Sequence, residues 1–221
     1  MSNQQPIVLF DAIGLLVDGR RIRQCYQANM IQVMTARYGK SPDFWRLIDQ
    51  QIVEDWASYH ADLNYSGEDG IADMYEGIFR LTRALFTIAN IVEPPKPDIT
   101  ALAHHLMTLP CDRKVLLADV YETLIAYQQK GYQLATFGYL LHLQLVSMMA
   151  ALPMITHHIG ADTLQQYEHD RQYFMKITTH FKTSADQITV LTPHPQTFYA
   201  ASQAGLRSQL VRQLSTFVFK I

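Results

Sequence analysis

The chain of 221 residues has little cysteine, no strong charge of either sign and no long apolar run. Charged residues make up 17% of it, the formal net charge is -2 and the basic residues are scattered, so we expect no nucleic-acid partner. No apolar run reaches the roughly 18 residues of a membrane-spanning helix, and the sequence does not open on a basic segment typical of a secretion signal. We therefore expect no membrane partner.

The two cysteines, Cys25 and Cys111, are far apart, and neither belongs to a Cys-x-x-Cys pair. This pattern argues against a disulfide framework or a thiolate zinc site, and it favours two small core residues in a reducing compartment. The predicted location is the cytoplasm.

An apolar segment near the N-terminus carries the most specific signal. Hydrophobic residues make up 48% of the chain, and the run IVLF at 7–10 predicts a buried strand. Asp11 follows it at once, and Gly14 permits a sharp backbone turn three residues later. The strand thus presents one carboxylate at its end. An alternative role for Asp11 is to cap the turn by accepting backbone N–H bonds.

Helical periodicity dominates the chain from about residue 20 to residue 92. Apolar residues recur at helical spacing over 20–38, 45–56 and 71–85, and Asp43 is a candidate cap for the second of these helices. The segment EPPKP at 93–97 cannot continue a helix, because proline lacks the N–H donor and fixes the backbone. It predicts a boundary.

The second half alternates between helical and strand patterns. Helices are predicted over about 102–107, 119–127, 141–151, 170–181 and 198–204, and strands over 132–137, 154–159, 188–191 and 209–212. Such alternation is typical of an α/β domain with a parallel sheet and right-handed crossovers. We predict an α/β core of residues 1–19 and 106–221, interrupted by a helical insertion with a proline-rich return segment, residues 20–105.

Four segments, in this order, resemble the motifs of the haloacid dehalogenase-like superfamily. The stretch IVLFDAIGLLVD at 7–18 resembles the first motif, Asp-x-Asp-Gly-Thr or Asp-x-Tyr-Gly-Thr, and GYQLATF at 131–137 resembles the strand of the second. Residues 173–176, followed by 184–191, are similar to the helix, turn and strand that lead to the fourth motif, and the run AASQAGL at 200–206 resembles the run that closes it. The resemblance implies a Rossmann-like core with a parallel sheet and an all-helical cap. It also implies a hydrolase in which Asp11 forms a covalent ester that water later cleaves.

Most partners of that aspartate are replaced, at Ile13, Leu15, Gly138, Glu168, Pro193 and Thr197. Ile13 stands where phosphatases have a general acid and cannot exchange a proton. Glu168 stands where the family has a lysine, so it reverses the charge and repels an anionic substrate. Thr136 lies two residues from the hydroxyl position of the second motif. Because both acids of the fourth motif are missing, we expect no cofactor and no tight magnesium site.

The dehalogenase branch needs no metal, and it leaves four candidate site residues beside Asp11. Thr192 is a similar replacement for that branch's serine, and His194 stands at its asparagine, where it is a candidate to orient water or bind an anion. Arg46 is a candidate for the cap arginine that binds carboxylate or halide. Lys176 is a candidate cation for the site, with a simple exposed lysine as the alternative.

Three hypotheses of function follow. The leading one is a protein with this fold that has lost standard phosphatase and dehalogenase chemistry and acts by binding a small-molecule ligand or a protein. The alternative is an active hydrolase on a phosphate ester or 2-haloacid. It uses Asp11 as nucleophile and requires one of the four candidates within about 5 Å of Asp11. The third is a homodimer joined through the cap or the apolar tail at 217–221, which is otherwise a packed tail or an added edge strand.

Overall fold

A computed structural model describes residues 5–65 and 69–214. The contacts divide the described residues into two compact units: an α/β unit within Met1–Ile22 and Pro110–Ile221, and a helical unit, Arg23–Leu109. Among the described residues, no helix is both long enough and apolar enough to cross a membrane.

The α/β unit is built on five strands that all pair in parallel. They are β1 Ile7–Asp11, β2 Gln133–Phe137, β3 His157–Ile159, β4 Ile188–Thr192 and β5 Arg207–Leu210, in the spatial order β3-β2-β1-β4-β5. All five residues of β1 are buried, because this strand has a neighbour on each side and helices on the sheet faces. The predicted α/β fold class with a parallel sheet is confirmed.

The strand order reverses between β1 and β4, so the carboxyl end of β1 lies at the point where open α/β sheets bind ligands. Asp11 is the last residue of β1 and pairs with Phe137 of β2. The preceding residue, Phe10, pairs with Leu191 of β4, so Thr192 is the next β4 residue toward this edge. The register thus brings Asp11 and Thr192 together.

Five helices follow the strands of the α/β unit: α6 Val120–Gln129, α7 His142–Met148, α8 Ala161–Leu164, α9 Arg171–Phe181 and α10 Pro195–Gln203. The aromatic side chains Phe137, Tyr173 and Phe174 are fully buried and pack in one cluster with the apolar residues of β1 and β4. This cluster fixes α9 on the sheet and thereby holds the loop that precedes it.

The helical unit contains α2 Pro42–Glu54, α3 Trp56–His60, α4 Gly70–Ala89 and α5 Lys96–Met107, while the boundary between the units falls within α1 Gly19–Tyr38. Its core surrounds Trp45, which is fully buried and whose Nε1–H donates to the Gly39 carbonyl at 2.8 Å. The prediction that Asp43 caps α2 is wrong. Ser41 is the cap, since its hydroxyl accepts the N–H of Phe44 and Pro42 occupies the first turn.

Two strand predictions need correction. The strand predicted over 154–159 begins only at His157, because Ile155 still donates to Leu152 in a turn after α7. The core strand predicted over 209–212 is β5 at Arg207–Leu210, a partly exposed edge strand. The apolar residues within 209–212 predicted a buried strand, but a strand at the edge of a sheet need not be buried. The tail at 215–221 lies outside the described residues.

Candidate functional site

Asp11 forms the centre of the candidate site. Its side chain is buried at 5% exposure, and Oδ2 accepts the hydroxyl of Thr192 at 2.7 Å. Burial, the largest effect, raises the pKa of Asp11 to about 7. The bonds from Thr192 and from the backbone N–H of Ile13 oppose this rise, while the charge of Glu168 adds to it. Asp11 is therefore not a freely ionised carboxylate at neutral pH.

The turn after β1 explains why Gly14 is present and Leu15 is not polar. Gly14 has φ +85°, and a Cβ at this position would lie 3.3 Å from Cγ of Pro193. The N–H groups of Leu16 and Val17 both donate to the Ala12 carbonyl, and this tight turn directs Leu15 into the core with no exposed surface. Leu15 stands where the superfamily's first motif has threonine, and here it packs in the core.

Glu168 is a second buried carboxyl near Asp11, as its motif position predicted. It lies in the loop between α8 and α9 and is 3% exposed. Its Oε1 is 3.8 Å from Nε2 of His169, and among the described residues its buried Oε2 has no hydrogen-bond partner. Burial raises the pKa of Glu168 to about 7. A buried carboxyl oxygen without a hydrogen-bond donor is costly, so this position invites a functional explanation.

Two tyrosines at this edge were not singled out from the sequence. Tyr139 follows Gly138 at the end of β2 and is 48% exposed; partial burial raises its pKa, and Glu168 and Asp11 raise it further. Tyr173 is fully buried, and its hydroxyl donates to the Ile159 carbonyl at 2.8 Å. Position after a strand end was the available signal for Tyr139, because residues that follow parallel strands gather at one edge.

His194 lies at the same edge but does not bond to Asp11 through its ring. Its backbone N–H donates to Oγ1 of Thr192 at 3.1 Å. Its ring is exposed, and Nε2 lies 3.9 Å from the place that a Cβ on Gly14 would occupy. Thr192 therefore links the Asp11 carboxyl to the backbone that starts α10. Of the candidates, the structure brings Thr192 into contact with Asp11 and His194 into contact with Thr192.

The other candidates have different contacts. Lys176 donates to the Leu164 carbonyl at 2.8 Å at the end of α8, so it is neither a simple exposed lysine nor paired with a carboxyl of the described residues. Arg46 belongs to α2 of the helical unit, where it pairs with Asp43. Thr136 is fully buried and its Oγ1 lies 2.8 Å from Nδ1 of His158. It therefore does not replace the hydroxyl that the second motif lacks at Gly138.

The fourth-motif positions supply no carboxylate to a magnesium ion. Within the residues described, no group of three or more histidine, cysteine, aspartate or glutamate side chains could hold a metal ion. Thr197, at a motif acid position, is buried with its hydroxyl 3.5 Å from Nδ1 of His169. Magnesium prefers an octahedral shell of oxygens that includes carboxylates, and these positions do not supply it.

Comparison with known proteins identifies the fold. No protein-family profile matches the chain, and no curated protein sequence matches it. Solved structures do match: an L-2-haloacid dehalogenase from Xanthobacter autotrophicus with chloropropionic acid covalently bound has 14% identity and a TM-score of 0.51, covering 93% of this chain and 76% of that one. A 2-haloacid dehalogenase from Pseudomonas syringae pv. tomato has 18% identity and a TM-score of 0.50, with coverage of 93% and 85%.

A defluorinating L-2-haloacid dehalogenase has 17% identity and a TM-score of 0.56, with coverage of 93% of this chain and 80% of that one. At such low identity these matches establish the fold and leave the activity to the site. The chain has a haloacid dehalogenase-like fold, and the predicted resemblance to that superfamily is confirmed at the level of fold.

Proposed function

We propose that this protein, with the fold of a haloacid dehalogenase-like hydrolase, no longer forms a covalent ester at Asp11 and instead binds a ligand at the carboxyl edge of its sheet. One observation carries the proposal. Asp11 is buried beside a second buried carboxyl, Glu168, and no lysine or arginine of the described α/β unit pairs with either.

This arrangement is poor for nucleophilic attack by a carboxylate. A carboxyl with a pKa of about 7 is about half protonated at pH 7 and largely protonated below it, and the protonated oxygen does not attack carbon or phosphorus. An anionic substrate would also meet the charge of Glu168 rather than a compensating cation. Ile13 offers no proton to a leaving group. The edge of the sheet therefore supports binding better than ester chemistry.

One contact favours the alternative, an active hydrolase that uses Asp11 as nucleophile. Thr192 lies 2.7 Å from the carboxyl, within the distance that this hypothesis requires, and His194 begins the next helix. In such an enzyme Thr192 would fix the orientation of the attacking carboxylate, and Asp11 would act only in its ionised form. Activity should then rise with pH through about 7.

A substrate panel separates the two. Release of phosphate from 4-nitrophenyl phosphate and of chloride from 2-chloropropionate would be measured with and without Mg²⁺, for the wild type, Asp11→Asn and the matched control Asp98→Asn, which changes an exposed aspartate. We expect no turnover above background in any of the three. Turnover in the wild type and Asp98→Asn that disappears in Asp11→Asn would contradict the proposal and establish the hydrolase.

A further inference from the structure

We infer that the ligand at the edge formed by Asp11 and Glu168 is a small organic cation with a protonated amine. This inference rests on the proposed ligand-binding function and names the chemical class of the ligand. Three features support it: the placement of the two carboxyls, the absence of a lysine or arginine ion pair to either of them in the described α/β unit, and the aromatic ring of Tyr139 at the same edge.

The two carboxyls reach the edge from different parts of the chain. Asp11 ends β1, and Glu168 lies in the loop before α9. Their exposures are 5% and 3%, so solvent stabilises neither charge well. Thr192 occupies one oxygen of Asp11, whereas Oε2 of Glu168 is buried without a partner among the described residues. That oxygen is an acceptor without a donor.

In the described part of the α/β unit, lysine and arginine supply no positive charge to this pair. Among its described residues, no lysine or arginine forms an ion pair with Asp11 or Glu168, and Lys176 is bound to the carbonyl at the end of α8. The basic side chain beside Glu168 is that of His169, which is 55% exposed and has Nε2 3.8 Å from Oε1 of Glu168. Removing a partner from a buried charge is strongly unfavourable. A bound cation would supply the partner.

An ammonium group fits the surroundings better than an anion or a metal ion. It brings three N–H donors, which match the vacant acceptor of Glu168 and the remaining lone pairs of Asp11. Tyr139 offers a half-exposed ring at the same edge, and aromatic faces attract cations. An anion would be repelled by both carboxyls, while a magnesium ion would lack its further oxygen ligands.

Cation binding should strengthen as pH rises, because the ammonium attracts the ionised form of each carboxyl. The titratable groups around the pair are Tyr139 after β2, Tyr173 on α9, His169 in the loop, His194 before α10 and Asp162 on α8. The tyrosines have pKa values raised by burial and stay neutral near pH 7. Both carboxyls ionise as pH rises through about 7, so cation affinity should rise over this range.

The test compares two probes of equal chain length on the full chain at pH 8. Propylammonium chloride and sodium propionate are titrated while the Tm is followed by differential scanning fluorimetry and the Kd by calorimetry, with MgCl₂ as a third arm. The variants are Glu168→Gln, which removes the charge but not the shape, and Glu122→Gln, a control at an exposed glutamate.

We expect propylammonium to raise the Tm of the wild type and of Glu122→Gln in a saturable way, and propionate to leave it unchanged. In Glu168→Gln the Kd should be weaker by about tenfold or more, since a hydrogen bond to a charged group is lost. Equal effects of the two probes, an effect of propylammonium that survives in Glu168→Gln, or stabilisation by Mg²⁺ alone would each overturn the inference.

Failure here is distinguishable from failure of the proposed function. If propylammonium does not bind and the substrate panel shows no turnover, the cation is wrong and ligand binding stands. If Asp11-dependent turnover occurs, the proposed function is wrong whatever propylammonium does.

Discussion

The two units bury an aspartate to the same extent in opposite surroundings. In the helical unit, Asp49 is 6% exposed, and its Oδ2 accepts from Arg23 Nη2 at 2.7 Å and Gln27 Nε2 at 2.6 Å. In the α/β unit, Asp11 is 5% exposed, yet it has a neutral hydroxyl and the carboxyl of Glu168 nearby. Asp49 thus lies against a counter-charge, whereas Asp11 lies near a like charge.

The difference separates a structural carboxylate from a functional one. A side chain that only holds helices together is best buried with its counter-charge, as Asp49 is. A carboxyl kept in a buried position against a like charge costs stability, and such positions concentrate at binding and catalytic sites. The four predictions below test this contrast, from the largest expected effect to the smallest.

The pH dependence of stability should carry the signature of the opposed pair. Asp11 and Glu168 have pKa values of about 7 in the folded state against ordinary values of 3.8 and 4.5, so the folded protein binds protons more tightly than the unfolded chain. Their stabilising protonation is complete below about pH 4 and is lost as pH rises through about 7. We expect the free energy of unfolding to fall by about 2 kcal/mol or more between pH 5 and pH 8.

Urea denaturation at each pH measures this fall. The double variant Asp11→Asn/Glu168→Gln should flatten the curve over this range. Parallel curves for the wild type and the double variant would show that the pair does not titrate as the structure indicates.

Asp49→Asn should destabilise the protein by about 1–3 kcal/mol at pH 8, because it removes a charge-assisted hydrogen bond from Arg23 in a buried position. The matched substitution Asp11→Asn at the same pH should leave stability unchanged or raise it, since it removes a charge that has no counter-charge. Denaturation midpoints of the two variants give the comparison directly, and an equal loss in both would remove the distinction drawn between the units.

Thr192→Val should destabilise the protein by about 1 kcal/mol, because both the Asp11 carboxyl and the His194 N–H lose a hydrogen-bond partner. The pKa of Asp11 should also rise, since the Thr192 bond lowers it. Titration of the Asp11 carboxyl by carbon-13 NMR measures this rise, and Thr192→Ser, which keeps the hydroxyl, should show none. A lower pKa in Thr192→Val would contradict the assigned hydrogen bond.

Lys176→Met should have the smallest effect, a loss of about 0.5–1 kcal/mol from the bond to the Leu164 carbonyl. The pH dependence of unfolding should match that of the wild type, because Lys176 does not neutralise the carboxyl pair. Lys182→Met, at the end of α9, serves as a lysine control outside that contact. A steeper pH slope in Lys176→Met alone would mean that this lysine compensates the carboxyls after all.

The sequence predicted the sheet better than its edges. The buried run 7–10 and the alternation after residue 131 lead to a parallel α/β sheet because central strands need apolar residues on both faces. The edge strand β5 was placed two residues too late, since a partly exposed strand has a weak apolar pattern. The cap of α2 was missed because Asp43 and Ser41 are both favourable cap residues, and only Pro42 in the first turn separates them.

At the site, motif positions located Asp11, Glu168 and Thr192; the proximity of Asp11 and Thr192 follows from strand ends and register, while Glu168 comes from the loop before α9. They did not reveal the environment of these groups. Lys176 donates to the carbonyl of Leu164, twelve residues earlier in the chain. This contact is set by the packing of α8 and α9. The rise of the Asp11 pKa likewise comes from burial by the surrounding fold, a property of the packed state that residue spacing does not express.

Tyr173 has a consequence for motions of the sheet. Its hydroxyl donates to the carbonyl of Ile159 at the end of β3, while the same Tyr173 oxygen accepts from the backbone N–H of Gly138, just beyond β2. One buried side chain of α9 thus links the last paired residue of β3 to the first residue beyond β2. The Gly138 amide should consequently exchange with deuterium as slowly as amides inside the strands, although it belongs to none of them, and opening of this edge should require α9 to move with it.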